Sequence, residues 1–185
     1  MQSPKSKTAH ALLGIYYLHE AAKYPASDPE FNALYRTAMI EHVRKAYTID
    51  KDFPISCATF ASYFLLSGRY DAMEPLARKA IEQTDTNAIA SDGWYLLARK
   101  EHNRGDFEKA ADYYSRADQA RGGAEKGFWP AKFGVIQVMI QLQDLDGAKF
   151  RLEKLLQSGK NLEAMTLLGC LYAEDVFTAS TSAGK

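Results

Sequence analysis

Cysteine is nearly absent from this sequence: Cys57 and Cys170 are the only two among 185 residues. They are too few and too far apart for a disulfide framework, and both fall in helix-like patterns where a thiol behaves as a small apolar group. A reducing compartment is the natural reading. Charge of one sign is absent too, since Lys+Arg and Asp+Glu both number 23. Without a global basic field, duplex DNA is not expected as a direct ligand. No apolar run reaches the roughly 18 residues of a membrane-spanning helix. Residues 1–8 are polar and basic, and no signal-type apolar region follows them. Neither membrane insertion nor secretion is expected.

Motifs that carry chemistry are lacking as well. His10, His19, His42 and His102 are scattered over different segments, with no H-E-x-x-H, E-x-x-H or Cys-x-x-Cys spacing to hold a metal. Glu41-His42 and Glu101-His102 are adjacent pairs, but neighbours on a helix diverge by about 100°, so both pairs are expected on solvated surface. Arg121-Gly122-Gly123-Ala124 lacks the spacing of a phosphate-binding loop and reads as an interhelix break. No nucleophile with a base and an orienting group can be singled out. The expectation is a protein with no catalytic residue, no metal and no cofactor.

What the chain does contain is one complete helix-turn-helix unit from Trp94 to Ala117. Trp94, Leu97 and Ala98 stand at i, i+3 and i+4 on a first helix; Gly105-Asp106 makes a break; Phe107, Ala110, Tyr114 and Ala117 stripe a second helix. This order of large, small and aromatic residues resembles the tetratricopeptide (TPR) pattern. Ala98, Ala110 and Ala117 carry only a methyl group, so two helices can approach at the close end of the 8–10 Å interaxial range. A two-helix unit cannot bury its apolar stripe alone, so neighbouring copies are expected.

They are present in weaker form. Leu13, Gly14 and Tyr17 stand on a first helix, followed by a Pro-containing loop at Tyr24–Pro29 and a long stripe of Phe31, Tyr35, Met39, Val43 and Ala46. A second unit starts near Pro54, turns at Gly68, and places Met73, Ala77 and Ala80 on its second helix. Ala46 to Ala80 is 34 residues, the TPR period, and Ala80 to Ala117 is 37. A fourth unit begins at Phe128 and Trp129, turns at Gln143-Asp144 where earlier units hold Gly, and continues through Ala148, Leu152 and Leu155. Asn161 is positioned to cap a last helix with Met165, Leu168, Gly169 and Tyr172.

The predicted fold is therefore all-α: a TPR-type solenoid, wound into a right-handed superhelix, of about four hairpins plus one C-terminal helix. The hairpins are expected at about 9–50, 54–84, 87–120 and 127–158, the last helix at 161–176, and an unstructured tail at 178–185. Because neither end carries a polar cap, the array is expected to be a fragment of a longer solenoid. Leu168, Leu171, Tyr172 and Phe177 should then lack a neighbour and form an apolar patch.

Most aromatics occupy packing positions. On TPR hairpins the first helices line the concave groove, so residues between the core positions face a ligand. The candidate partner-binding strip is Tyr95, Arg99, His102 and Asn103 on the third unit with Phe133, Gln137 and Gln141 on the fourth. Arg99 is expected to point away from its paired second helix.

Several segments in order carry a more specific likeness. Ala11-Leu12-Leu13-Gly14, Ala46-Tyr47-Thr48-Ile49-Asp50, Tyr95-Leu96-Leu97-Ala98-Arg99, Asp106-Phe107-Glu108-Lys109-Ala110 with Tyr113-Tyr114, Phe133-Gly134, and Met165-Thr166-Leu167-Leu168-Gly169 with Leu171-Tyr172-Ala173 resemble the middle TPRs of one family. It is the large TPR scaffold subunit of the RNA polymerase II-associated factor (Paf) complex, and the likeness covers roughly residues 9–175. The sequence departs from that family at Gln143, in place of the usual turn Gly, and in its Pro-rich first loop. The resemblance implies a nuclear, non-enzymatic scaffold of transcription elongation. It implies as partners the other Paf-complex subunits, including the naming subunit and the parafibromin-like subunit, with an indirect link to RNA polymerase II and to histone modification. An alternative is a TPR co-chaperone or adaptor gripping a peptide tail, which would need a Lys/Asn/Arg cluster that Arg99 with Asn103 only partly supplies.

Overall fold

The computed structural model describes residues 6–23, 28–83, 87–122, 127–159 and 161–182. Residues 24–27 of the first loop, the linker residues 84–86 and residues 123–126 of the glycine break lie outside the described residues, as does the side chain of Phe177. Among the described residues the chain is helical throughout, with no strand. The helices are α1 (Lys7–Lys23), α2 (Pro29–Ile49), α3 (Pro54–Leu66), α4 (Tyr70–Glu82), α5 (Asn87–Arg104), α6 (Phe107–Ala120), α7 (Trp129–Gln141), α8 (Leu145–Gln157) and α9 (Leu162–Ser182). They pair in order as four hairpins plus a ninth helix, a TPR-like solenoid.

Local chemistry sets the boundaries. Pro29, Pro54 and Pro130 sit in first turns, where a missing N–H costs nothing. Asp106 and Asp144 accept N–H bonds from Lys109 and Gly147, and Asn161 Oδ1 accepts from Ala164, so α6, α8 and α9 start on side-chain caps. The turns after α3 and α5 need a left-handed residue and have Gly68 (φ 69°) and Gly105 (φ 82°); the turn after α7 puts Gln143 in that conformation, at φ 63°. The last helix runs to Ser182 rather than ending near 176. Nothing in that stretch breaks a helix: it holds no Pro, and its next Gly is Gly184.

The small residues do close the hairpins. Ala46, Ala77, Ala80, Ala98, Ala110, Ala117 and Ala148 are all fully buried. Each second helix also packs on the first helix of the next hairpin, and first helices touch in sequence, α1 on α3, α3 on α5 and α5 on α7. No comparable contact joins the second helices α2, α4, α6 and α8 to one another among the described residues. The result is a contacting inner row of first helices and a spaced outer row of second helices.

Two surface expectations are overturned. Leu171 is 5% exposed and packs, with Leu167 and Leu168, on Ala148, Leu152 and Leu155. The Leu171 side of α9 is thus covered by α8 of the same chain, whereas Leu162, Met165 and Tyr172 stay exposed, the last with its hydroxyl bonded to Glu153. Nor is Glu101 on solvated surface: it is 8% exposed and pairs with the buried Lys100 at 2.7 Å. Lys100 reaches across to Glu74 of α4 at 2.6 Å, and Glu74 also holds Arg78 at 2.7 Å. The Lys100 hydrogen bond, followed by that of Arg78, holds the Glu74 carboxyl below the ordinary range.

His42 is likewise half-buried rather than solvated. Its Nδ1 shares a hydrogen bond with His10 Nδ1 at 2.9 Å, and its ring stacks on Tyr17 with centroids 5.5 Å apart. Histidines that are scattered in sequence are therefore brought together across the first hairpin.

Candidate partner-binding groove

The first helices α5, α7 and α9 line an open groove of about 1040 Å³. Its wall on α5 consists of Tyr95, Arg99 and His102, spaced i, i+4 and i+7, so the three share one face. Phe133, Gln137 and Gln141 repeat the spacing at i, i+4 and i+8 on α7. These six candidates from the sequence converge on one surface. The seventh does not: Asn103 Nδ2 donates to Tyr70 Oη of the preceding hairpin at 3.0 Å, which turns it out of the groove.

Arg99 is the cation of this wall. Its Nη1 donates to Tyr95 Oη at 3.2 Å, and its guanidinium lies 6.0 Å from the Tyr95 ring centroid. No carboxylate pairs with it among the described residues. Beside it, burial and then the Arg99 charge hold His102 below the ordinary histidine range, which keeps the imidazole neutral at pH 7. His102 Nδ1 lies 3.3 Å from Tyr114 Oη, and burial pushes that phenol well above its ordinary range. Tyr95 does not point wholly away from its paired helix, because its ring packs 5.8 Å from Tyr114 and 5.4 Å from Phe128. It serves the core as well as the groove.

The far wall went unread in the sequence. Asn161, which caps α9, and Leu162, Glu163, Thr166, Leu167 and Cys170 of α9 face the same groove. The signal was available: α9 occupies a first-helix place in the repeat order, so the residues between its core positions should face inward like those of α5 and α7. Cys170 is exposed here and Cys57 is buried, with burial pushing the Cys57 thiol up to about 11. Two aromatic walls with one unpaired cation and a row of amides suit an extended or helical peptide that brings apolar side chains and a carboxylate. Among the described residues there is no cluster of three metal-ligating side chains and no helix long and apolar enough to cross a membrane.

No protein-family profile matches the chain. Individual relatives do. Tetratricopeptide repeat protein 1 of Schizosaccharomyces pombe is 26% identical over 173 residues, 93% of this chain and 16% of the relative. The Protein CTR9 homolog of Arabidopsis thaliana is 35% identical over 115 residues, 62% of this chain and 10% of the relative. The chain is similar to this CTR9-named protein over part of its length. RNA polymerase-associated protein CTR9 of Caenorhabditis elegans adds a third case, at 26% over 130 residues, 70% of this chain and 11% of the relative. The chain thus spans about a tenth to a sixth of the length of these relatives. The first match covers 93% of this chain, so the tetratricopeptide-repeat likeness belongs to the array as a whole, while the two CTR9-named relatives match 62% and 70% of it.

Proposed function

We propose that this chain is part of a non-enzymatic scaffold of the Paf complex, acting in the nucleus to assemble subunits for RNA polymerase II elongation and the histone modification tied to it. The partners are other subunits of that complex, the naming subunit and the parafibromin-like subunit, and a segment of one of them lies in the groove between α5, α7 and α9. The observation that carries this reading is the convergence of Tyr95, Arg99, His102, Phe133, Gln137 and Gln141 on one groove in a chain related to proteins named for association with RNA polymerase. A solenoid spreads affinity over many such contacts. The co-chaperone alternative has less support, because Asn103 is engaged with Tyr70 and does not join Arg99 in a carboxylate clamp.

Arg99→Glu tests the groove without touching the core. With the purified naming subunit and, separately, the parafibromin-like subunit as titrant, calorimetry should show binding of one of them weakened by about 2 kcal/mol, as truncation of Arg hot spots often does, while the thermal melt stays in place. Unchanged affinity for both beside an unchanged melt would move the interface off this groove.

A further inference from the structure

The opposite face carries a second site. A cavity of about 410 Å³ lies between the second helices α6 and α8, with α7 as its floor. Each helix offers a single face to it: Ser115, Asp118 and Gln119 from α6, Lys132, Val135 and Ile136 from α7, and Arg151, Lys154, Leu155 and Ser158 from α8. The spacings are i, i+3 and i+4, extended by i+7 on α8, so these side chains are neighbours on their helices. Val135, Ile136 and Leu155 make the apolar floor. Around it stand three cations and one carboxylate.

That carboxylate is already engaged. Asp118 Oδ1 accepts the Phe128 N–H at 2.7 Å and lies 4.0 Å from Lys132 Nζ. No carboxylate pairs with Arg151 or Lys154 among the described residues. The contrast with the preceding repeat shows why the site is open. There, Tyr113 of α6 packs on Trp94, 5.5 Å between centroids, and Arg116 lies over the Trp94 ring while pairing with Asp112 at 2.9 Å. Glu74 of α4 neutralises Lys100 and Arg78 in the same space. Ala110 to Ala148 is 38 residues and Ala80 to Ala117 is 37. In those registers Tyr113 becomes Arg151, Arg116 becomes Lys154, Asp112 becomes Phe150 and Glu74 becomes Ala111. The filler aromatic has become a cation, and the acid that paired with Arg116 has gone while its cation is kept as Lys154; Glu74 has gone together with its two cations, whose positions hold Ser115 and Val138.

We infer that the cavity between α6 and α8 is a docking site for an acidic peptide segment of another protein, its carboxylates meeting Lys132, Arg151 and Lys154 and an apolar side chain seated on Val135, Ile136 and Leu155. Charge complementarity selects this occupant, because the cations enclose an apolar floor that a carboxylate alone would leave unused. A nucleic acid would call for a continuous basic track, whereas this chain carries no net charge. The inference concerns the outer face and does not depend on what lies in the α5–α7–α9 groove.

Fluorescence anisotropy tests it with a labelled peptide repeating Glu-Glu-Leu, its Lys-Lys-Leu counterpart and a single-stranded RNA of equal length. The acidic peptide should bind, more weakly as salt rises. Arg151→Gln with Lys154→Gln should weaken it by roughly tenfold or more, about 1.4 kcal/mol, with the melt unchanged since both side chains are exposed. Arg44→Gln, at an exposed cation of α2 that lines neither face, should leave it unaltered. Failure of the acidic peptide to bind, equal loss on Arg44→Gln, or tighter binding of the RNA would overturn the inference.

Discussion

Tyr114 fills the space that a side chain on Gly134 would need: a Cβ placed there would lie 2.5 Å from both Cε1 and Cζ of the tyrosine ring. The ring is fully buried at the junction of the third and fourth hairpins, so it has no room to retreat. Gly134→Val should therefore destabilise by about 3 kcal/mol, at the upper end of overpacking, with little helix propensity recovered by a β-branched residue. Tyr114→Leu in the same chain should restore part of the loss. A double-mutant cycle by chemical denaturation reads the coupling; additive losses would mean that the two do not share the space.

Gln143 tests the turn. It adopts the left-handed conformation that Gly68 and Gly105 supply elsewhere, at a steric cost of about 1–2 kcal/mol for a residue with a Cβ. Gln143→Gly should raise stability by about 1 kcal/mol once the added freedom of the unfolded chain is deducted. For a chain of this size that is a gain of roughly 2–4 °C in melting temperature. A lower melting temperature would show that the glutamine side chain holds the turn.

Lys100 ties two hairpins through a buried ion cluster. Lys100→Met strands Glu101 and leaves Glu74 only Arg78, so it should cost about 3 kcal/mol, the lower end for removing one partner of a buried pair. Adding Glu74→Gln should make the double variant more stable than the sum of the singles. Urea titrations of the three variants decide it.

The first hairpin should weaken in acid. Burial, and then the neighbouring His10, hold His42 below the ordinary histidine value of 6.5, with Glu41 acting upward and Lys45 downward. The unfolded chain therefore takes up this proton first as pH falls, so stability is intact above 6.5 and declines below it. Melts at about pH 7.5 and about pH 5.5 should differ more for the wild type than for His42→Gln. An equal difference would place the acid sensitivity elsewhere.

Local periodicity made the helices and their closest contacts legible, because Ala110, Ala117 and Ala148 recur where only a methyl fits. It also gave the inner strip on α5 and α7, since residues between core positions must face away from the paired helix. What it could not give depends on pairs remote in sequence. Asn103 belongs to the strip by spacing, but Tyr70, 33 residues earlier, captures it. His10 and His42, 32 residues apart, meet only once the first hairpin closes. Lys100 and Glu101 were hidden for a related reason: charged residues read as solvated until a partner such as Glu74 is seen across the interface.

The contacting row of first helices and the spaced row of second helices give the array a neutral line that is not at its centre. Flexing about the inner row can widen or narrow the outer gaps while leaving the first-helix contacts nearly unstrained. On this geometry a ligand wedged between α6 and α8 would open that outer gap about the α5–α7 contact and change the arc between the third and fourth hairpins, as a shim does between the leaves of a spring.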